Sequence, residues 1–293
     1  MEYVSNLMDA DANVAEWARR REAQGWQVLS VADHFYSAHR PFPHVWVTAA
    51  AIAAATTHVT VTTAFVNNLL RSPVEVAQAA LMMQSVSHGR FELGLGAGWL
   101  REEVVAAGMN YPDASDRAGA FIESMTIVRS LLHTGAAQLD GRYYQVDVRG
   151  LGPLTDTPPR LVGSVGGPRT VREVTPLLDR VEIKASSAST RGGTLDLAAM
   201  AMIRDSHLGD MVAHVRAVRP DIEIGMFVLC NAGTDTRTQQ LHDAMQGSLY
   251  GRFFGPVEHV AEGLSWLADQ GISRAQISPF DTTTFDALAP LLF

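Results

Sequence analysis

Short runs rich in Val, Ile and Thr alternate along the chain with longer Ala-rich runs whose apolar residues recur at helical spacing. This alternation limits the fold more than any other feature. Strand, helix, strand in succession requires parallel pairing, and parallel crossovers are right-handed. Strands are expected over 2–8, 27–32, 58–66, 90–96, 160–165, 180–184, 222–230 and 275–278. Helices are expected over 13–24, 45–56, 73–87, 115–132, 170–178, 199–218, from 236, over 257–270 and over 283–292. Asn13 suits an N-cap, Gly25 a helix stop, and Pro73 a first helical position where a missing N–H does no harm. Eight strands each followed by helix close into a (β/α)8 TIM barrel, an α/β fold. An open doubly wound sheet is the alternative. The 293 residues are read as one barrel domain over 1–293, because such barrels take roughly 250 residues plus insertions.

Two stretches break the rhythm and are read as insertions. The first, near 133–159, contains LDGRYYQV, where Asp140-Gly141 suits a tight hairpin turn. The second, near 185–198, is rich in Ser, Thr and Gly and reads as a mobile loop.

A net charge of −8 argues against nucleic acid, whose phosphates favour a basic footprint. The single cysteine, Cys230, excludes an internal disulfide and a Cys-rich zinc site, and reads as a small core residue. Neither a signal-peptide layout nor an apolar run of ~18 residues occurs, so no membrane association and a cytoplasmic location are expected. Lys184 is the only lysine.

In barrels of this kind, reactive residues lie at the carboxyl ends of the strands. Those ends carry Asp33-His34, the stretch 63–68, Gly96-Ala97-Gly98-Trp99, the stretch from Ser164 to Gly167, Lys184, Asn231 and Phe280-Asp281. Such a mouth has many glycines, one imidazole and few carboxylates. It suits a flat aromatic cofactor with a phosphate tail better than hydrolysis by paired acids. The run GLGAGW lets backbone approach a ligand, or is simply turn packing; it is not the GxGxxG fingerprint. In GSVGGPRT, Gly166-Gly167 follow a strand and Pro168-Arg169 open a helix, which suits phosphate, with an ordinary Gly-Pro turn as the alternative.

His34 is a candidate proton donor or acceptor, or a structural histidine. Its spacing with His39 and His44 matches no usual metal pair, so no metal is expected. Glu103 is a candidate acid or base, a carboxylate that reaches loop N–H groups, or a helix-start acid. Lys184 is a candidate anion anchor, a Schiff-base lysine or a solvated side chain. No GxSxG occurs, so a hydrolase elbow is unsupported.

Taken together, ADH at 32–34, FVNNLLRSP at 65–73 and SHGRFELGLGAGWLREEVVAAG at 87–108 resemble the luciferase-like monooxygenase superfamily, and within it the coenzyme F420-dependent oxidoreductase branch. Similarity continues through DRAGAFIESMTIVRSLL, PPRLVGSVGGPRTVREV and GPVEHVAEGLSWLADQGI. The resemblance implies a homodimeric barrel with its cofactor ring at the third strand end, beside Thr63 and a cis peptide bond at Ala64–Phe65. It implies that Asp33 and His34 contact the ring, that Gly96, Ala97 and Gly98 line it, and that Glu103 supports it. The family's phosphate loop matches Gly166 and Gly167, beside which Ser164 and Arg169 are further cofactor-binding candidates, and Trp99 and Lys184 are candidates for contact with a small-molecule substrate.

The implied reaction is hydride transfer between the deazaflavin and a carbonyl, imine or activated alkene, with His34 handling the proton. One alternative is an FMN-dependent monooxygenase supplied with reduced flavin by a separate reductase. Others are a non-catalytic flavin-binding relative and an aldolase acting through Lys184.

Overall fold

The computed structural model describes residues 1–10, 12–37 and 40–293. Eight parallel strands form a closed barrel: β1 (Glu2–Leu7), β2 (Val28–Val31), β3 (Thr60–Thr63), β4 (Phe91–Gly96), β5 (Arg160–Val165), β6 (Arg180–Ile183), β7 (Glu223–Ala232) and β8 (Arg274–Pro279). Neighbours in sequence pair throughout, and the ring closes where Glu2 of β1 stands opposite Arg274 of β8. Helices cover the outside: α1 (Val14–Ala23), α2 (Val45–Ala55), α3 (Pro73–Val86), α4 (Arg101–Ala106), α5 (Ala114–Thr134), α6 (Pro168–Val174), α7 (Leu197–Ala201), α8 (Asp205–Val218), α9 (Thr236–Met245), α10 (Val257–Asp269) and α11 (Thr283–Leu292). No helix among the described residues is long and apolar enough to cross a membrane.

Along each strand side chains alternate between the helices and the barrel axis, as a period of two requires, and the axial face is largely polar. On β2, Leu29 and Val31 belong to the apolar core between sheet and helices. Ser30 between them points the other way, donating to Asn6 Oδ1 at 3.2 Å and accepting from Gln276 Nε2 at 2.8 Å. The starts of the strands form an ionic floor. Arg274 bonds Glu92 at 2.5 Å and Glu2 at 2.8 Å, while Arg180 pairs with Glu223 and Glu2.

Several boundaries differ from the sequence reading, each for a local reason. The strand expected over 58–66 stops at Thr63 and resumes as Val66–Asn67 beside β4, with the cis peptide bond Ala64–Phe65 between the two pieces. The helix expected over 199–218 is broken between α7 and α8, where the Ile203 carbonyl accepts from Leu249 N at 2.8 Å instead of continuing the helix. The helix expected over 170–178 starts at Pro168 and tightens into a 3-10 turn over Thr175–Leu177, around Pro176. Helix α4 was given no range in the sequence reading, which had Glu103 only as a possible helix-start acid.

The first insertion is a two-stranded ribbon, Ala137–Asp140 against Gln145–Val148. Its turn is held by Glu123 of α5, whose carboxylate accepts from the N–H groups of Arg142, Tyr143 and Tyr144, each at 2.9 Å. Gly141 is needed there because a Cβ would collide with that carboxylate. The second insertion folds into turns tied to α4 through Arg101 N and the Gly193 carbonyl at 3.0 Å.

Candidate active site

The loops after β2, β3 and β4 meet at two carboxylates turned inward. Asp33 is buried and accepts from Arg71 through both oxygens, at 3.0 and 3.2 Å, and from Asn67 N at 3.1 Å. Its charge is matched and its hydrogen bonds are filled, so Asp33 fastens the β2 loop to the segment before α3. The same pairing raises the Arg71 guanidinium above its ordinary value, chiefly through its hydrogen bonds to Asp33.

Glu103, on the first turn of α4, is fully buried. One of its oxygens meets His34 Nδ1 at 2.7 Å and Asn67 Nδ2 at 3.4 Å; the other accepts from Phe35 N at 2.7 Å. A buried carboxylate with a single imidazole partner fixes that ring's orientation and assigns the proton on Nδ1. Nε2 has no hydrogen-bond partner among the described residues. Phe42 and Trp99 hold the ring on its sides, with centroids 5.2 and 5.9 Å away. His34 can therefore present a lone pair or a proton at Nε2, while Glu103 acts through it as a positioning residue. Of the three roles open to Glu103 in the sequence, the structure shows two, a place in the first turn of α4 and a hydrogen bond from a loop N–H, with the His34 contact added.

At the next strand end, the Thr63 hydroxyl is not directed to the mouth. It donates to the Gly94 carbonyl at 2.8 Å and accepts from Gly94 N at 3.0 Å, lacing β3 to β4. A side chain on Gly94 would collide with the Thr63 carbonyl oxygen, and one on Gly96 would press on Phe65. Gly98 has φ +80°, and a Cβ there would strike Asn67 and Leu69. These glycines fit the chain around the Ala64–Phe65 bond, with Ala97 between the last two.

Across the mouth, Ser164 lies on the axial face of β5, opposite Gly96. Gly166 and Gly167 follow β5; a Cβ on Gly166 would lie 3.3 Å from Ser187 Cβ, whereas one on Gly167 would meet nothing within 4 Å. Gly167 is thus a glycine that internal packing does not demand, and the backbone there is bare. Arg169 turns outward, 3.6 Å from Glu173 and 3.3 Å from the Ser115 carbonyl. Lys184, at the end of β6, is half-buried, with Nζ 3.5 Å from Thr190 Oγ1 and 6.0 Å from the centre of the Trp99 ring. No carboxylate among the described residues lies within ion-pair distance, and burial pushes its ammonium down to about 8.

The structure therefore gathers Asp33, His34, Thr63, Ala64, Phe65, Gly96, Ala97, Gly98, Trp99 and Glu103 on one side, and Ser164, Gly166, Gly167 and Lys184 on the other. Asn231, Phe280 and Asp281 line a separate cavity of about 170 Å3 with Asp235, Arg237 and Thr282. Cys230 is buried, and burial raises its thiol, as a core residue should show. His39 lies outside the described residues, and among those described no three potential ligands gather around a metal position. Arg71 and Phe42 were missed as site residues, and Asn67 fell within the strand-end stretch 63–68 without being singled out. Arg71 and Asn67 sit inside the FVNNLLRSP block, but nothing in their spacing shows which carboxylates they serve.

A closed parallel barrel with a carboxylate-held histidine and bare glycine backbone at its C-terminal mouth defines a cofactor-binding enzyme scaffold. The luciferase-like monooxygenase family matches residues 5–265, and the chain belongs to that family. It is 28% identical over 162 residues to the F420-dependent glucose-6-phosphate dehydrogenase of Kribbella flavida, a match covering 53% of this chain and 48% of the relative. A match to the pyrimidine monooxygenase RutA of Methylobacterium radiotolerans is 33% identical over 115 residues, covering 39% of this chain and 30% of that protein. The matched region thus spans about half, or less, of these curated relatives. Among solved structures, an F420-dependent secondary alcohol dehydrogenase in complex with an F420-acetone adduct is similar over 100% of both chains, with TM-score 0.76 and 17% identity. At that identity the likeness shows the fold.

Proposed function

We propose that the protein is a coenzyme F420-dependent oxidoreductase that moves a hydride between the deazaflavin and a small carbonyl, imine or activated alkene. The observation that carries this reading is the His34–Glu103 pair, which leaves one imidazole nitrogen free at the mouth beside bare glycine backbone. The mouth fits such a cofactor at Gly167, where the backbone is open and a Cβ would meet nothing within 4 Å. The segment 64–65 with Gly96, Ala97 and Gly98 would hold the ring, and Ser164, Gly166 and Gly167 the phosphate. When bound, F420 supplies hydride chemistry. His34 delivers a proton from Nε2 to the substrate oxygen or nitrogen in reduction, and accepts it in the reverse direction. Glu103 steadies the ring in both protonation states, and Trp99 and Lys184 shape the substrate side.

Two redox enzymes that depend on F420 stand among the similar proteins, which supports the deazaflavin. The monooxygenase relative supports a second reading, in which reduced FMN and O2 are used and a separate reductase supplies the flavin. A homodimer and a cytoplasmic location belong to the proposal. The uncharged helix α2, whose outward-facing Val47 is 69% exposed, supports the dimer.

Parallel fluorescence titrations with F420 and FMN, each oxidised and reduced, test the reading. Saturable F420 binding with weak FMN binding is expected. The reverse moves the protein to the O2-dependent reading, and binding of neither overturns both.

A further inference from the structure

Trp99 stands between the two side chains of the mouth that can carry a proton or a charge. Its indole meets the His34 ring edge to face with centroids 5.9 Å apart, and the Lys184 ammonium lies over it, 6.0 Å from the ring centre. Where that indole rests therefore sets the space around both groups. The loop that carries it has little internal support. Among the described residues no backbone N–H donates to the Trp99 carbonyl. The group that takes this carbonyl is the Tyr111 hydroxyl, which donates to it at 2.8 Å.

Tyr111 is itself held from outside the loop. The Arg117 guanidinium lies 4.5 Å and the Arg101 guanidinium 5.5 Å from its ring centre, distances at which a cation is attracted to an aromatic face. Arg117, on α5, is buried and donates to the Pro112 carbonyl at 2.8 Å and to the Arg191 carbonyl at 3.4 Å. The second bond ties the tyrosine's support to the second insertion. Gly193 of that insertion, at φ +89°, closes over the hydroxyl, since a Cβ there would come within 2.9 Å of it. Helix α5 and the insertion thus make a frame, and one O–H connects that frame to the Trp99 loop. Packing alone would need only the ring of Tyr111. The hydroxyl is the part that reaches the loop.

We propose that Tyr111 is a positioning residue of the mouth, whose hydroxyl fixes the Trp99 main chain and with it the place of the indole between His34 and Lys184. Tyr111 acts through Trp99 alone. That the indole faces a substrate rests on the oxidoreductase reading; its cover over Lys184 does not.

Labelling with trinitrobenzenesulfonate, without cofactor or substrate, tests the proposal at the peptide that holds Lys184, the only lysine. Tyr111→Phe keeps the ring and its cations and removes the donor. It is expected to raise the Lys184 labelling rate about two- to tenfold, the range spanned by loss of one neutral hydrogen bond. Trp99→Ala removes the cover outright. In that background Tyr111→Phe should add nothing, because both changes act on one chain of contacts. Trp99→Phe serves the same comparison if the alanine chain does not fold, and circular dichroism reports the fold of every variant. An unchanged rate in folded Tyr111→Phe overturns the proposal. An equal rise with and without the indole also overturns it, because the hydroxyl would then act elsewhere. So does a Tyr111→Phe chain that does not fold, which would make the hydroxyl a support of the fold. Failure of the unmodified protein to bind F420 would sink the oxidoreductase reading and leave the labelling result standing.

Discussion

The two ends of the barrel axis handle buried charge in opposite ways. At the floor, three arginines (Arg160, Arg180 and Arg274) interlock with Glu2, Glu92 and Glu223, so nearly every cation has its acid. At the mouth, Asp33 and Glu103 are turned inward to Arg71 and His34, and Lys184 has no acid partner among the described residues. A closed network holds strands together, because removing one member strands the rest. An open set of donors adds nothing to stability and is available to a ligand. The difference assigns the floor to folding and the mouth to chemistry.

Four substitutions or titrations would break or sharpen that division. His34→Gln should lower turnover by roughly 10²–10⁴ while cofactor binding is retained, since it removes the proposed proton carrier and little else. A variant of normal activity removes His34 from the mechanism. Arg274→Met should destabilise the protein by about 3–5 kcal/mol in urea unfolding, because Glu92 and Glu182 lose a neighbouring cation in a desolvated place. A change below about 1 kcal/mol would mean the floor is hydrated and its pairs behave like surface pairs.

The third concerns Glu182, the floor carboxylate that closes no hydrogen bond at Oε2. Burial pushes it up to about 7 from 4.5, against the pull of Arg274 and Arg180. The folded state thus holds this proton more tightly than the unfolded chain. The stabilisation is complete below about pH 4.5 and lost as pH rises through about 7, by up to about 3 kcal/mol. Glu182→Gln should remove that part of the stability–pH slope; identical slopes would place the carboxyl near its ordinary value. The smallest effect is at the mouth. Amine-selective labelling of Lys184, the only lysine, should rise with a midpoint near pH 8, not near 10.5.

Much of this was legible in the sequence. Eight strand segments and the strand ends that carry His34, Gly96, Gly166 and Lys184 follow from periodicity and glycine placement, because burial on both faces of a parallel sheet writes itself into composition. The family resemblance also placed the cis bond at Ala64–Phe65, where the structure has it. What was not legible depends on distance in space. Glu103 is 69 positions from His34, and Arg71 is 38 from Asp33; no local pattern announces such pairs. The break at Ile203 was hidden for the same reason, since the N–H that takes its carbonyl belongs to Leu249. Ser186 to Asp196 read as loose because its residues are small and polar, yet the Arg101–Gly193 bond ties it to α4.

The lacing of Thr63 to Gly94 has one more consequence. Elsewhere around the ring, wall cohesion is a property of main chain and is the same for almost any sequence. At this seam main-chain pairing covers Val61 and Thr62 against Phe91 and Glu92, and the next step along the wall is closed by a single hydroxyl that both gives and takes a hydrogen bond. A methyl of equal size, as in Thr63→Val, would keep the outline and part the stitch. Evolution can therefore tune how readily one stave separates from its neighbour through a residue that need never touch a ligand.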